Sequence, residues 1–169
     1  GLDEEHVKLS DGMINGDYHR YRDGVLRESG IYVKGKRNGT FTEYYQDGVT
    51  PRKETPILQG KIDGTVKTYF RNGKIEIEKE YKQSVENGRE RRFANKTGKQ
   101  IFESHYIDGK KDGEEWEIFE DGRAIRSKTT CHYRNGKLDG SYRVESTWEG
   151  KPYITIEGQY TDGEKSGQW

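Results

Sequence analysis

The chain has 169 residues, 30 of them basic and 30 acidic, so its formal net charge is zero at pH 7. That balance argues against general nucleic-acid affinity, which needs a basic surplus facing phosphates. No run of about 18 apolar residues is present to cross a membrane as a helix. Leu, Ile, Val and Phe supply only 29 residues, below the roughly 20% mark of disordered chains, but such chains also carry high net charge. With 12 Tyr and 3 Trp to bury instead, the composition reads as a folded chain with a thin core.

The start, Gly1-Leu2-Asp3-Glu4-Glu5, is acidic and has no apolar signal segment. The expected location is cytoplasmic, with export open if a signal peptide was removed before Gly1. Residues 1–8 read as a lead-in and residues 9–169 as one repeat array. Aligned on a glycine, the units fall at Gly16, Gly39, Gly64, Gly88, Gly113, Gly140 and Gly167, spaced by 23, 25, 24, 25, 27 and 27 residues. Seven positions before each glycine stands Leu9, Tyr32, Ile57, Tyr81, Tyr106, Tyr133 or Tyr160. Four before stands Gly12, Gly35, Gly60, Ser84, Gly109, Gly136 or Gly163, and the residue just before is Asn, Asp or Ser. A fixed period of this length marks a repeat architecture.

Each unit carries a second turn signal: Asp23-Gly24, Asp47-Gly48, Asn72-Gly73, Thr97-Gly98, Asp121-Gly122 and Glu149-Gly150. Asx-Gly pairs supply the positive φ of tight hairpin turns. The structural turns are therefore expected at Gly35, Gly39, Gly60, Gly64, Gly109, Gly113, Gly136, Gly140, Gly163 and Gly167, with two strands per unit. Strand alternation is clearest in residues 74–81, which places Ile75, Ile77 and Tyr81 on one face and Glu76, Glu78 and Glu80 on the other. Ile154, Ile156 and Tyr160 repeat the pattern. Tyr18, Phe41, Val66, Tyr142 and Trp169 follow the glycines by two, and Tyr21, Tyr44, Tyr69 and Phe93 follow by five. The odd offset puts these two sets on opposite faces unless a bulge reverses one. The fold class is all-β: an elongated, twisted antiparallel sheet of about six stacked hairpins, each marginal without its neighbours. The close at Gly167-Gln168-Trp169 opens another unit. It leaves an edge expected to be capped by a further natural segment or used for contact.

The run Gly30-x-Tyr32-x-x-Gly35-x-x-x-Gly39-x-Phe41-x-x-Tyr44 resembles the MORN repeat, and "YRNGKLDGSY" is similar to its bacterial variant. The resemblance covers Leu9 to Trp169. It implies an elongated array of stacked hairpins that is not an enzyme by virtue of the repeat. Bacterial members are often antitoxins or immunity proteins paired with a toxin, whereas eukaryotic arrays are associated with membranes and scaffolding. The fourth and fifth units depart from the pattern, with Glu90 and Glu115 in aromatic positions and Trp116 one place late.

Chemistry-bearing residues are sparse. His6, His19, His105 and His132 sit in different units, and Cys131 is the single cysteine, so neither a disulfide framework nor a metal cluster is expected. Cys131 and His132 are adjacent on a predicted strand and point to opposite faces, which excludes a nucleophile–base pair. No phosphate-loop or calcium-loop spacing occurs, and no cofactor is expected. Asn38 and Asn95 match glycosylation acceptors but fall at turns where Asn belongs anyway. One charge feature stands out: "RERRFANKTGK" at 89–99 is basic and "GEEWEIFED" at 113–121 is acidic. The two runs either pair across neighbouring strands or form a bipolar surface for a charged partner. A protein partner, possibly a toxin, is expected on a sheet face carrying Arg89, Arg91, Arg92, Phe93, Trp116 and Phe119, because this stretch breaks the repeat. Arg91, Phe93 and Trp116 share the face opposite Glu90 and Glu115 if the strands run without a bulge. The alternative is a structural or membrane-associated scaffold.

Overall fold

The computed structural model describes residues 2–120, 124–148 and 151–169. Among these residues there are sixteen strands and no helix, and the chain divides into two compact units. Unit 1 runs to Val85 and includes Asn95–Gly98. It holds β1 (Asp3–Ser10), β2 (Met13–Arg22), β3 (Val25–Val33), β4 (Lys36–Tyr44), β5 (Pro51–Leu58), β6 (Lys61–Ile62), β7 (Gly64–Tyr69) and β8 (Ile75–Lys82). Unit 2 comprises Glu86–Ala94 and Lys99–Trp169. It holds β9 (Val85–Phe93, less its first residue), β10 (Gln100–Ile107), β11 (Lys110–Lys111), β12 (Gly113–Glu120), β13 (Ile125–Arg134), β14 (Lys137–Trp148), β15 (Lys151–Thr161) and β16 (Glu164–Ser166). Within each unit the longer strands pair antiparallel in chain order, and the short β6 and β11 extend β7 and β12 along β5 and β10. The all-β reading of hairpins stacked in sequence holds. The lead-in does not: residues 3–10 form β1, paired with β2 from Asp3↔Arg22 to Ser10↔Met13.

Eight hairpin turns have two central residues at positive φ, among them Lys34-Gly35 (49°, 74°), Gln59-Gly60 (52°, 87°) and Asn135-Gly136 (51°, 85°). Their backbone twist matches that of the strands they join, which selects this turn type. Gln83-Ser84 makes the same turn without glycine (52°, 71°). Asp23-Gly24 is also of this kind, whereas the other described Asx-Gly and Thr-Gly signals sit in longer loops. Tyr45 N–H donates to the Thr50 carbonyl across Asp47-Gly48, Phe70 to Lys74 across Asn72-Gly73, and Ala94 to Lys99 across Thr97-Gly98. Asp47 accepts from the Thr50 hydroxyl and from the Val49 and Thr50 amides, which hold its carboxyl down at about 2. The Asp121-Gly122 and Glu149-Gly150 signals lie outside the described residues.

Gly39, Gly64, Gly113 and Gly140 are not turn residues. Gly39 and Gly140 lie inside β4 and β14, Gly64 and Gly113 open β7 and β12, and Gly167 follows β16. The first four have φ between 83° and 118°, where the strand takes an irregular step. Opposite Val7/Leu9, for example, β2 goes from Ile14 to Tyr18, three intervening residues facing one. A left-handed backbone at such a step favours glycine.

The residue before each glycine joins one repeat to the next. Asn15 Oδ1 accepts from the Lys34 amide at 3.3 Å, Asn38 from Gln59 at 3.2 Å, and Asp63 from Gln83 at 3.2 Å. In unit 2, Asp112 accepts from Asn135 at 3.0 Å and Asp139 from Asp162 at 3.3 Å. Beside each, the second turn residue donates its N–H to a carbonyl two positions before the preceding glycine: Gly35 to Ile14, Gly60 to Arg37, Ser84 to Ile62, Gly136 to Lys111 and Gly163 to Leu138. Gly109 donates to Glu86 in the same way, but there Asn87 donates its side-chain amide to Asp108 at 3.2 Å. The motif is therefore a clamp that docks the next hairpin turn, 19 to 23 residues on.

A second irregularity recurs once per repeat. Arg27, Arg52, Glu76, Ile101, Arg126 and Tyr153 are each one extra residue in β3, β5, β8, β10, β13 and β15. This bulge overturns the alternation read in residues 74–81. Ile75 pairs with Tyr69 and Ile77 with Thr68, so the two isoleucines point to opposite faces. No extra residue falls between the glycine-plus-two and glycine-plus-five positions, so these two sets do occupy opposite faces. Tyr18 and Phe41 are buried at 4% and 2% exposure; Tyr21 and Tyr44 lie on the other side.

On the packed face, the residue two past the glycine meets a small partner across the strands in Tyr18↔Gly30, Phe41↔Thr55, Glu115↔Cys131 and Tyr142↔Gly158, while the smaller Val66 faces Lys79. Gly30 lies beneath the Phe41 ring and Gly158 beneath Trp169, where an added Cβ would come within 2.6 and 2.4 Å. Gly30→Ala is expected to destabilise the fold by about 2 kcal/mol through overpacking, measured by urea unfolding, while the exposed Thr40→Ala stays within about 0.5 kcal/mol.

Candidate binding faces

The packed face of unit 1 centres on three rings. Tyr18, Tyr32 and Phe41 have centroids 5.4 to 6.0 Å apart, and the Arg37 guanidinium lies 4.4 Å from the Phe41 centroid. Arg37 also donates to the Tyr32 hydroxyl at 3.2 Å and to buried Glu28 at 3.0 Å. Burial, with Glu28 and Glu5 nearby, pushes the Tyr18 phenol up to about 12. Unit 2 repeats the triad with Tyr142, Tyr160 and Trp169, centroids 5.1 to 5.7 Å apart, and Lys165 3.9 Å over the Trp169 ring.

Glu90 and Glu115 occupy the same packed position as these rings. Glu90, 4% exposed, takes Arg92 Nη2 at 2.7 Å, Arg92 Nε at 2.8 Å and the Tyr106 hydroxyl at 3.2 Å. Glu115 pairs with Lys111, whose ammonium also lies 4.8 Å from the Tyr133 centroid. Lys111 precedes its glycine by two, as Arg37 and Lys165 do. Here one cation position serves either a ring or a carboxylate, and the apparent irregularity is a packing solution. Burial next to Glu115 pushes the Cys131 thiol up to about 11, so it stays neutral near pH 7. Among the described residues no group of three His, Cys, Asp or Glu could hold a metal ion.

The opposite face of unit 2 carries most of the residues expected to meet a partner. Register places Arg91, Glu103 and Trp116 side by side across β9, β10 and β12, with Arg89 beside His105. Phe93 lies on the same side two residues from Arg91, opposite Gln100, whose amide donates to Glu103 at 3.0 Å. Two expected residues are elsewhere. Arg92 turns to the packed face with Glu90, and Phe119, 61% exposed, lies three residues from Trp116 on that side too. The direct pairing of the basic and acidic runs is also corrected. β10 intervenes, so Glu103 stands between Arg91 and Trp116, and Glu114 is 3.7 Å from His132 of β13 instead.

Antiparallel hairpins clamped turn to turn, with one face consumed by packing, define a repeat protein whose function class is binding or scaffolding. A family model described as MORN repeat variant matches residues 62–83, a span that contains the Asp63–Gln83 clamp. That match assigns one span of the chain to the MORN repeat variant. No curated protein matches the chain.

The exchange of ring for carboxylate can be measured. Glu115→Ala leaves Lys111 without its partner and is expected to cost about 2 kcal/mol. Glu115→Phe gives Lys111 a ring, as Arg37 has Phe41, and should restore about 1 kcal/mol of that loss. Equal stability of the two variants in urea unfolding contradicts the assignment.

Proposed function

We propose that this chain is a non-catalytic protein-binding array, a bacterial immunity or antitoxin protein that covers a toxin and blocks it sterically and electrostatically. The observation that carries this reading is the row Arg91–Glu103–Trp116 in register on a sheet face that packing does not consume. Arg and Trp are the side chains most enriched among binding hot spots, and a strand pair holds them rigid before contact. Arg89 and Phe93 extend the row, and Glu103 beside Arg91 leaves a surface of mixed sign that selects partners by charge. No cofactor or covalent step is required. The cytoplasm is the proposed setting, where a lone buried thiol such as Cys131 stays reduced.

Isolation of the partner from the native host, followed by affinity measurements, tests this. Arg91→Ala and Trp116→Ala are each expected to lose about 2 kcal/mol of binding, roughly thirtyfold in Kd, with unchanged circular dichroism. Parent-like binding by both variants overturns the site.

A further inference from the structure

Unit 1 contains a second charged feature, unrelated to the row on β9, β10 and β12. A recess of about 550 Å³ is bordered by five arginines, Arg20, Arg22, Arg27, Arg52 and Arg71. Only two carboxylates, Asp23 and Glu43, border it with them. In a chain with no net charge, this excess is local.

The guanidinium groups are unequally satisfied. Arg52 is paired with Glu43, and Arg20 lies 3.5 Å from buried Glu28. Arg22 reaches Asp3 only at 3.9 Å, with both side chains more than half exposed, a contact of little energetic value. Arg27, the bulge residue of β3, donates to the Tyr45 carbonyl at 3.4 Å, while its buried Nε has no hydrogen-bond partner. Arg71 lies over the Tyr45 ring at 5.5 Å, and the nearby Asp47 carboxylate is taken up by Val49 and Thr50. Tyr44 and Tyr45 also line the recess. The Tyr44 hydroxyl is tied to Ser29 at 2.9 Å and that of Tyr45 to the Tyr69 carbonyl at 2.5 Å.

We propose that this recess is a docking site for an acidic segment of a partner protein, a run of Asp and Glu side chains. Arg27 and Arg52 hold equivalent bulge positions two strands apart, about 10 Å at ordinary strand spacing. Carboxylates repeated along a chain can match guanidiniums spread in this way over β2, β3, β5 and the loop after β7. The planar guanidinium fork matches a carboxylate in two-point contact, and the two fixed rings give the peptide stems an apolar wall.

The test is fluorescence anisotropy of the whole chain with a short labelled Asp/Glu-rich peptide and its Asn/Gln counterpart. The acidic peptide should bind, weaken as salt rises, and bind roughly tenfold more weakly to Arg22→Gln/Arg71→Gln, a loss of about 1.4 kcal/mol. Both of these positions are exposed, and circular dichroism verifies their folding. Arg91→Gln should leave peptide binding unchanged. Loss of binding in Arg91→Gln alone would assign acidic segments to unit 2 and overturn this proposal without touching the function proposed above. Equal binding of the neutral peptide overturns it as well, as does preference for a single-stranded oligonucleotide or for anionic vesicles over the acidic peptide. Loss of the native partner in Arg91→Ala and Trp116→Ala, with the peptide retained, separates the two surfaces.

Discussion

The hydrogen bond from a hairpin turn to the Asn or Asp one repeat earlier, made at five turns, is the constraint on which the rest of the structure depends. A two-residue turn with both φ positive exposes its amides, and a lone hairpin has no partner for them. Asn38 and Asp112 supply a side-chain oxygen for the first amide of the following turn. The carbonyls of Arg37 and Lys111 take the second. This fixes register as well as contact, because the clamp sits beside an irregular step that only a left-handed residue accommodates. With register set, every residue two past the glycine arrives on the same face as its counterparts within its unit.

That shared face explains how a chain poor in aliphatic residues holds together. Its core is a row of cross-strand positions where rings cover glycine or threonine and a cation covers the ring. Cation over ring contributes up to about 2 kcal/mol when desolvated, and a charge-assisted pair is of similar order. Glu90 and Glu115 can therefore replace rings without breaking the row. The opposite face keeps a different set of side chains, whose identity packing leaves open, and the residues proposed to meet a partner are drawn from it.

Much of this was legible in the sequence, for physical reasons that differ by feature. The Tyr–Gly–Gly spacing revealed the repeat because turn and step each demand a backbone that few residues adopt. The separation of Tyr18 from Tyr21 followed from parity alone. The bulge was invisible, since Arg27, Arg52, Glu76, Ile101, Arg126 and Tyr153 share no chemistry, and its neglect put Ile75 and Ile77 on one face. Glu90 and Glu115 looked like breaks in the pattern. The partner of Glu115 was nevertheless readable, for Lys111 holds the position of Arg37 and Lys165 before the glycine, whereas Glu90 is met by Arg92 from a different position. The turn assignment failed at Gly39, Gly64, Gly113 and Gly140 because positive φ serves a bulged step as well as a turn. The arginine recess gave no signal, since its arginines come from three strands and a loop that are dispersed along unit 1.

Amide hydrogen exchange of Asp112→Ala measures the clamp most directly. Removing one carboxylate acceptor releases a hydrogen bond of about 1 kcal/mol net, so exchange at Asn135 should accelerate roughly fivefold. Gly136, whose N–H goes to the Lys111 carbonyl, should follow. The clamped turns of unit 1, at Gln59 and Gln83, should keep their parent rates. Unchanged exchange at Asn135 and Gly136 would contradict the account, because the turn would then be held by strand pairing alone.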